Sequence, residues 1–369
     1  MSLGKLVTAF LSRFCLPLSS SQELAQKVNQ GCPEWMAETI KRDLTPFRSL
    51  TLSLKKMTEE FLNIPPAHTI VKFQISENRV FVEQHFPGDV DGRIKTYKNK
   101  LRKLCSTFPM PNLTFFICIH DGLYQDIVEG LSSDFPLFGM SKDYRDQGIL
   151  MPDYQSLTEK YQVLKDLNID ITNYTMSWRK KIPMLIWRGS TMQLALDRST
   201  CYLTQENLQL FNRVRLCELS RDFPHMINAK FTRLVNGGEF LPYIQSLEGR
   251  RMSYLKQIRH KYQMVIDGNV VSYNASGWRF FADSLVFKPD SNMVQWYFSA
   301  LKPFEHYLPV KTNLEDLVEK VQWARKHDAE AERIAHNGCE FARNFLKAID
   351  GEVYLYYLLQ EYRRLNFVE

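Results

Sequence analysis

The chain has 369 residues, of which 44% are hydrophobic and 24% are charged. This composition excludes extensive disorder, collagen and coiled coil, and the length suits two ordinary domains facing each other across a cleft. Lys and Arg outnumber Asp and Glu by 47 to 41, a formal net charge of +6. Because this mild excess is spread along the chain, it suits a phosphorylated small molecule or an anionic membrane face. We expect no nucleic-acid partner.

The cysteine pattern and the apolar segments bear on the compartment. The seven cysteines are dispersed and show no C-x-x-C spacing, so neither a disulfide framework nor a zinc site is expected. The first apolar stretch is interrupted by Ser12 and Arg13 before it reaches the length of a signal sequence. No segment approaches the roughly 20 apolar residues of a membrane span. We therefore expect a cytoplasmic protein, with peripheral contact to the inner membrane face as an open alternative.

The predicted elements begin with short amphipathic helices around residues 33–47. TIVKFQI and VFVEQ then flank a polar turn at residues 76–79, which predicts a β-hairpin. A basic helix follows over residues 93–108. The next element is LTFFICI, which ends at His120 and Asp121. Its continuous apolar character is typical of a buried parallel strand.

Three later apolar runs also indicate buried strands. The run PMLIW ends at Arg188-Gly189-Ser190, KYQMVID ends at Asp267, and SLVFK ends at Pro289. Helical periodicity follows each run, so the repeated strand, loop and helix predict an open α/β architecture. Such sheets bind ligands at the carboxyl ends of their strands. We expect a domain boundary near residues 170–181, which gives domains 1–175 and 176–369.

The side chains at these strand ends have two interpretations each. Asp121 is placed as a general base would be, but it could equally be a helix-capping residue. Arg188, Gly189 and Ser190 offer a guanidinium fork, a close backbone approach and a hydroxyl to a diphosphate. The alternative for Arg188 is an ordinary ion pair at the end of a strand.

Two further motifs are also open to two interpretations. Trp278 and Arg279 follow Asn274 and Ser276 at a predicted helix start, which could face an anion or simply be capped. The Asp89-Val90-Asp91 spacing suits a divalent metal, but the surrounding Pro-Gly-Asp-Val-Asp-Gly is typical of a turn. We expect no metal. The fingerprints of dinucleotide-binding, P-loop, zincin and serine hydrolase sites are absent from the sequence.

The stretch SALKPFEHYLPVKTNLEDLVEKVQWARKHDAEAERIAHNGCEFARNFL, residues 299–346, resembles the carboxyl-terminal block of glycosyltransferase family ninety nearly throughout. This family contains capsule-associated and lipopolysaccharide-modifying enzymes and the Rumi-like protein O-glucosyltransferases. IWRGS, FPLFGMSK, Asp121 and the hairpin before Asp89 follow the family's order. The resemblance implies a GT-B fold of two Rossmann-like domains facing across a cleft. It also implies inverting, metal-independent transfer from a UDP-sugar without a further cofactor.

The resemblance further implies roles for individual residues. It places the catalytic base at Asp121 in the N-terminal, acceptor-side domain, with the last helices packing back on that domain. The C-terminal domain would bind the nucleotide-sugar. The implied contacts are Arg188, Gly189, Ser190 and the loop after Asp267. Beyond the resemblance, we expect Arg188 with either Arg198 or Arg279 to supply positive charge to the departing diphosphate. Ser272, Asn274 and Ser276 are further candidates in and after that loop. The family's Ser-Phe-Arg arginine falls on Ala275 in this chain, so either Arg279 replaces it or Ser272 and Asn274 bind phosphate instead.

A second departure concerns the acceptor. Gly122-Leu123 follows Asp121 where the glucosyltransferases have Tyr-Pro, which implies a different acceptor-side wall. We therefore expect an inverting UDP-sugar glycosyltransferase acting on a surface-glycan or lipopolysaccharide-type acceptor. A protein O-glycosyltransferase is the alternative. A catalytically inactive sugar-binding or scaffold protein is the alternative of another class.

Overall fold

The predicted α/β class is confirmed by a computed structural model, which describes residues 20–123, 131–158, 163–164, 169–170 and 176–368. The strands are β1 (Thr51–Ser53), β2 (Ile70–Ser76), β3 (Arg79–Gln84), β4 (Leu113–Cys118), β5 (Leu137–Gly139), β6 (Ser141–Asp143), β7 (Ile149–Leu150), β8 (Val163–Leu164), β9 (Ile169–Asp170), β10 (Ile182–Ser190), β11 (Ile227–Arg233), β12 (His260–Met264), β13 (Leu285–Pro289), β14 (Met293–Gln295), β15 (Leu308–Val310) and β16 (Asn366–Val368). The helices are α1 (Ser20–Asn29), α2 (Glu34–Leu44), α3 (Leu54–Asn63), α4 (Arg93–Thr107), α5 (Asn212–Asp222), α6 (Pro242–Ser246), α7 (Tyr254–Gln257), α8 (Tyr273–Phe281), α9 (Leu317–Lys326), α10 (Asp328–Phe345) and α11 (Ala348–Tyr362).

The first five-stranded sheet has the order β3-β2-β4-β5-β7. The predicted hairpin is confirmed as β2 and β3, and its turn residues Glu77 and Asn78 have φ values of 48° and 60°. Positive φ at both central residues is what a tight two-residue hairpin turn requires. The predicted buried strand is confirmed as β4, but it is parallel only to β5 and antiparallel to β2. Its continuous apolar sequence reflects burial on both faces and not the direction of its neighbours.

The second five-stranded sheet is entirely parallel, with the order β11-β10-β12-β13-β15. It contains the three later predicted strands as β10, β12 and β13. One boundary was wrong, because β10 continues to Ser190 and Arg188-Gly189 therefore lie inside the strand. These residues remain extended because they pair with Lys230 and Phe231 of β11. The ladder thus extends beyond the apolar run that marks the strand in the sequence.

The carboxyl-terminal segment packs on the first sheet. Tyr362 of α11 is fully buried, and its ring centroid lies 5.0 Å from that of Phe138 in β5. Strand β16 pairs in parallel with β1. A second apolar cluster surrounds the parallel sheet and includes residues of α9 and α10. Aromatic side chains of this size contribute much of the burial energy of a core, so the chain's end is firmly attached to its first half.

The two sheets are also connected by a small antiparallel ladder of β6 and β14. The predicted domain boundary near residues 170–181 falls partly outside the described residues.

Among the described helices, none is both long enough and apolar enough to cross a membrane.

Candidate active site

A cavity of about 290 Å³ lies where the carboxyl ends of β4, β10 and β12 meet. Asp121 follows β4, whereas Ser190 ends β10 and Ser272 comes shortly after β12. The fold thus brings together three predicted site residues that are far apart in sequence. Named by residue, the lining includes Arg93, Asp121, Tyr154, Gln155, Ser190, Met192, Arg213, Ser272, Tyr273 and Ala275. We call this space the Asp121 cleft.

The Asp121 carboxylate is held by Arg93, the first residue of α4. Nη2 of Arg93 donates to Oδ1 of Asp121 at 2.7 Å, and Nη1 donates to the carbonyl oxygen of Ile119 at 2.7 Å. The guanidinium also lies 4.8 Å from the centre of the Tyr154 ring. Burial lowers the pKa of Arg93, but the hydrogen bond and charge of Asp121 more than offset this, so the pKa is raised overall. Arg93 therefore stays charged and orients the side chain of Asp121.

Asp121 nevertheless remains accessible from the cleft. Its side chain keeps 38% of its surface exposed, against 7% for that of Arg93. A carboxylate with one oxygen fixed and part of its surface open to a cavity has the placement expected of a general base. The alternative role of Asp121, capping a helix, would involve the residues that follow it. Residues 124–130 lie outside the described residues.

Arg213 of α5 fixes the strand ends that form the other wall of the cleft. Its side chain is buried, and burial lowers its pKa to about 10, so it remains protonated at neutral pH. The guanidinium donates to oxygens of both strand ends, namely those of Ser190, Met192, Ile266, Asp267 and the hydroxyl of Ser272. No motif in the sequence marks Arg213 or Arg93, and both were missed.

Two glycines at the strand ends are sterically required. A Cβ on Gly122 would lie 2.6 Å from Oγ of Ser141 and 2.9 Å from a methyl group of Val270. A Cβ on Gly189 would lie 2.3 Å from the Trp187 ring. The group that approaches Gly189 closely is therefore the side chain of Trp187, which belongs to the same strand. Gly122 allows the end of β4 to pack directly on the loop after β12.

A second cavity, of about 560 Å³, adjoins the cleft, and Ala275 lines both. It is lined by three arginines, Arg188, Arg251 and Arg279, and none of the described residues that line it is acidic. We call it the arginine cavity. An unbalanced group of guanidinium ions beside a cavity favours an anionic ligand.

Arg188 is held in the arginine cavity by neutral oxygens. Its guanidinium donates to the carbonyl oxygens of Trp187, Asn228 and Arg250 and to the side-chain oxygen of Asn228. It forms no ion pair within the described chain, which makes the strand-end ion pair wrong for this structure. Burial lowers the pKa of Arg188, and an anion would relieve that cost.

Arg279 lies in the second turn of α8, because this helix begins at Tyr273, earlier than predicted. Nη1 of Arg279 donates to the carbonyl oxygen of Ala275 at 2.6 Å. Nε is buried and has no hydrogen-bond partner among the described residues. Burial lowers the pKa of Arg279 to about 9, and the guanidinium packs 4.4 Å from the Trp278 ring centre. Arg279 and Ala275 are one turn apart and share the helix face that lines the cavity.

The other predicted site residues are placed elsewhere. Nη1 of Arg198 lies 3.1 Å from Oδ2 of Asp143, and Arg198 borders two different cavities. Ser276 is buried, and its hydroxyl donates to the carbonyl oxygen of Ser272, so it faces the interior. Oγ of Ser272 donates to the carbonyl oxygen of Ile266 and accepts from Arg213. The side chain of Asn274 is outside the described set.

The Asp89-Val90-Asp91 motif serves α4. Both carboxylate oxygens of Asp89 accept backbone N–H groups, those of Ile94 at 2.8 Å and Lys95 at 3.0 Å. A carboxylate in this position satisfies amides of the first helical turn that have no partner within the helix. Among the described side chains, no group of three or more His, Cys, Asp or Glu residues is arranged to hold a metal ion.

Comparison with known proteins adds independent information. Residues 27–368 match the family model described as Glycosyl transferase family 90. Protein O-glucosyltransferase 2 of Danio rerio is 28% identical over 347 residues, which cover 92% of this chain and 64% of that protein. Protein O-glucosyltransferase 3 of Homo sapiens is 28% identical over 334 residues, covering 88% and 60%. Protein O-glucosyltransferase 1 of Homo sapiens is 25% identical over 340 residues, covering 88% and 79%. The chain thus spans less than two thirds of the length of the first two relatives.

Proposed function

The chain belongs to glycosyl transferase family 90, and on this basis we propose that it transfers a sugar from a UDP-sugar to a hydroxyl group of a protein acceptor. The observation that carries the proposal is the adjacency of the Asp121 cleft and the arginine cavity through Ala275. The Asp121 cleft supplies a base, and the arginine cavity supplies positive charge. The relatives' names make glucose the first sugar to test and a protein the first acceptor. This order reverses the expectation from sequence, which favoured a lipopolysaccharide-type acceptor.

In this proposal the two sheets act as the two halves of a GT-B enzyme. The UDP-sugar lies across the carboxyl ends of β10 and β12, with its diphosphate and nucleoside directed into the arginine cavity. Arg188 and Arg279 then complete their hydrogen bonding on the diphosphate. The sugar lies beside Ala275, within the Asp121 cleft. This placement puts the anomeric carbon between the base and the leaving group.

The chemistry follows from the same placement. The acceptor hydroxyl loses its proton to Asp121 as its oxygen attacks the anomeric carbon from the face opposite the diphosphate, so the configuration inverts. The developing charge on the departing UDP is stabilised by arginines that are already fixed in position. Arg93 acts as a positioning residue, because its bonds to Asp121 and Ile119 hold the carboxylate in one orientation.

UDP binding tests the arginine cavity without any acceptor. Arg188→Ala should weaken UDP affinity roughly tenfold to a hundredfold, since a hydrogen bond to a charged group contributes about 1.5–3 kcal/mol. Isothermal titration calorimetry of the full chain measures the change. Arg259→Ala, an exposed arginine just before β12, is the matched control and should bind UDP normally. Unchanged affinity in a folded Arg188→Ala protein would assign Arg188 to strand packing alone.

The acceptor is tested by offering two classes in parallel. The 369-residue chain with UDP-glucose is mixed with serine-containing folded proteins in one arm and with a lipopolysaccharide core oligosaccharide in the other. We expect transfer to protein. The glycan is the second candidate, because Gly122-Leu123 stands where the glucosyltransferases have Tyr-Pro and the acceptor-side wall therefore differs from theirs. Transfer to the oligosaccharide alone would establish that second function instead.

Metal removal gives a separate expectation. The carboxylate of Asp89 is occupied by two backbone N–H groups, and Asp91 faces Arg93 at 3.4 Å. We expect UDP-sugar turnover to survive excess EDTA, because the arginines take the role that a divalent metal has in other glycosyltransferases. Complete loss of turnover on chelation, with recovery on addition of manganese, would contradict both this expectation and the GT-B assignment.

A further inference from the structure

A third cavity, of about 200 Å³, lies beside the ladder that joins the two sheets. Its walls come from α2, β6, β13 and β14 and from the turn after β14. None of its lining residues belongs to the Asp121 cleft or to the arginine cavity. The lining residues that carry the argument are Arg42, Lys142, Lys288, Gln295, Phe298 and Ser299. We call it the junction cavity.

The junction cavity has an excess of positive charge. Arg42, Lys142 and Lys288 line it, and none of its described lining residues is acidic. Lys142 and Arg42 both form an ion pair with Asp43. Oδ1 of Asp43 lies 3.3 Å from Nζ of Lys142 and 3.2 Å from Nε of Arg42. The other oxygen of Asp43 already accepts the backbone N–H of Leu150. Two cations therefore share one carboxylate, which leaves one of their two positive charges unbalanced.

Lys288 forms no ion pair within the described chain. It is only 9% exposed, and its ammonium group donates to the carbonyl oxygen of Pro289 at 3.2 Å and packs 4.6 Å from the Phe298 ring centre. Burial lowers the pKa of Lys288, and the charges of Asp267 and Asp290 only partly offset this effect. Both aspartates line a different cavity. Burying an ammonium group without a paired anion is costly. A ligand that brings an anion to this position would remove that cost.

We propose that the junction cavity binds a phosphate group through Lys288, Lys142 and Arg42. Lysine and arginine are the common protein ligands of phosphate, and they reach the cavity from three separate elements. A cavity of about 200 Å³ has room for a phosphate group. The phosphate is either free or the headgroup of a lipid. Lys142 pairs with Val294 across the ladder of β6 and β14. Phosphate bound to Lys142 would therefore stabilise the junction of the two sheets.

The test uses the full chain and inorganic phosphate as the probe, at constant ionic strength made up with chloride. Phosphate should bind and raise the melting temperature. Lys288→Met should weaken phosphate affinity at least about tenfold, because a charged hydrogen bond is lost. Arg42→Gln, at a side chain that is 54% exposed, is a second variant that tests the same site without disturbing the core. Dihexanoyl phosphatidic acid and dihexanoyl phosphatidylcholine form the lipid arm.

The variants also locate the bound phosphate. Arg188→Ala alters the arginine cavity and should leave this phosphate affinity unchanged. Phosphate binding that is lost in Arg188→Ala but retained in Lys288→Met and Arg42→Gln would overturn the proposal, because the anion would then occupy the arginine cavity. Binding of phosphatidic acid alone, dependent on Lys288, supports the proposal with a lipid headgroup as source. Absence of binding by both phosphate and phosphatidic acid overturns it.

Discussion

Asp121→Asn is expected to lower turnover by about 10² to 10⁴, the usual contribution of a general base. Asn keeps the size of the side chain and still accepts the hydrogen bond from Arg93, but it cannot take a proton from the acceptor. The affinity for a UDP-sugar should barely change, because the proposed contacts to the diphosphate and nucleoside lie in the arginine cavity. Steady-state kinetics, together with calorimetric titration of UDP, separate these two quantities.

A modest loss of stability accompanies this change. Arg93 is almost fully buried and loses its charged partner, so we expect the free energy of unfolding to fall by about 1 kcal/mol. Asp91→Asn is the matched control, since Asp91 also faces Arg93 but is 66% exposed, and it should leave turnover unchanged. Near-normal turnover of Asp121→Asn would refute its role as base. A variant that fails to fold would indicate that the Arg93–Asp121 pair is mainly structural.

Arg213→Met is expected to have the largest effect on stability, a loss of about 3 kcal/mol or more in the free energy of unfolding. Its guanidinium donates to oxygens at the ends of two strands, and each buried acceptor left without a donor costs about 1–3 kcal/mol. Met fills most of the space, so the effect reports the lost hydrogen bonds more than a void. Urea denaturation measures it.

The control for Arg213 is on the same helix. Arg215→Met removes an arginine whose side chain is 46% exposed and lies 3.8 Å from Glu218, and it should change stability by no more than about 0.5 kcal/mol. If both variants lose the same stability, the hydrogen bonds of Arg213 are not what fixes the ends of β10 and β12. The cleft would then have to be maintained by packing alone.

Long apolar runs were the part of the fold that sequence predicted well. β4, β10, β12 and β13 each contain an apolar run, and the change to polar residues locates the strand end that carries Asp121. β11 and β15 were not predicted. β11 alternates buried and half-buried residues with polar side chains, and β15 has only three residues. The alternation in β11 is the signal of a half-buried strand and was missed, whereas β15 is too short to show a period.

The site was predicted less completely, for a physical reason. Asp121, Arg188 and Arg279 could be proposed because a strand end or a resemblance marks them. Arg93 and Arg213 act through carbonyl oxygens that lie 21 to 54 residues away. Every residue has a carbonyl group, so no sequence pattern records which one will accept. Ser276 was wrongly predicted to bind the nucleotide-sugar, for a similar reason. Its hydroxyl accepts hydrogen bonds from Gln295 and Tyr297, so its face of the helix is buried by residues that are distant in sequence.

The most direct test of the proposed function is UDP release from a panel of UDP-sugars by the full chain, with and without acceptor protein. We predict slow release of UDP from at least one UDP-sugar without acceptor, UDP-glucose first. Release should be faster with the acceptor and should be nearly abolished by Asp121→Asn. If folded protein releases no UDP from any sugar in the panel, with or without acceptor, the chain is not an active glycosyltransferase. It would then be an inactive sugar-binding or scaffold protein that has kept the fold of its family.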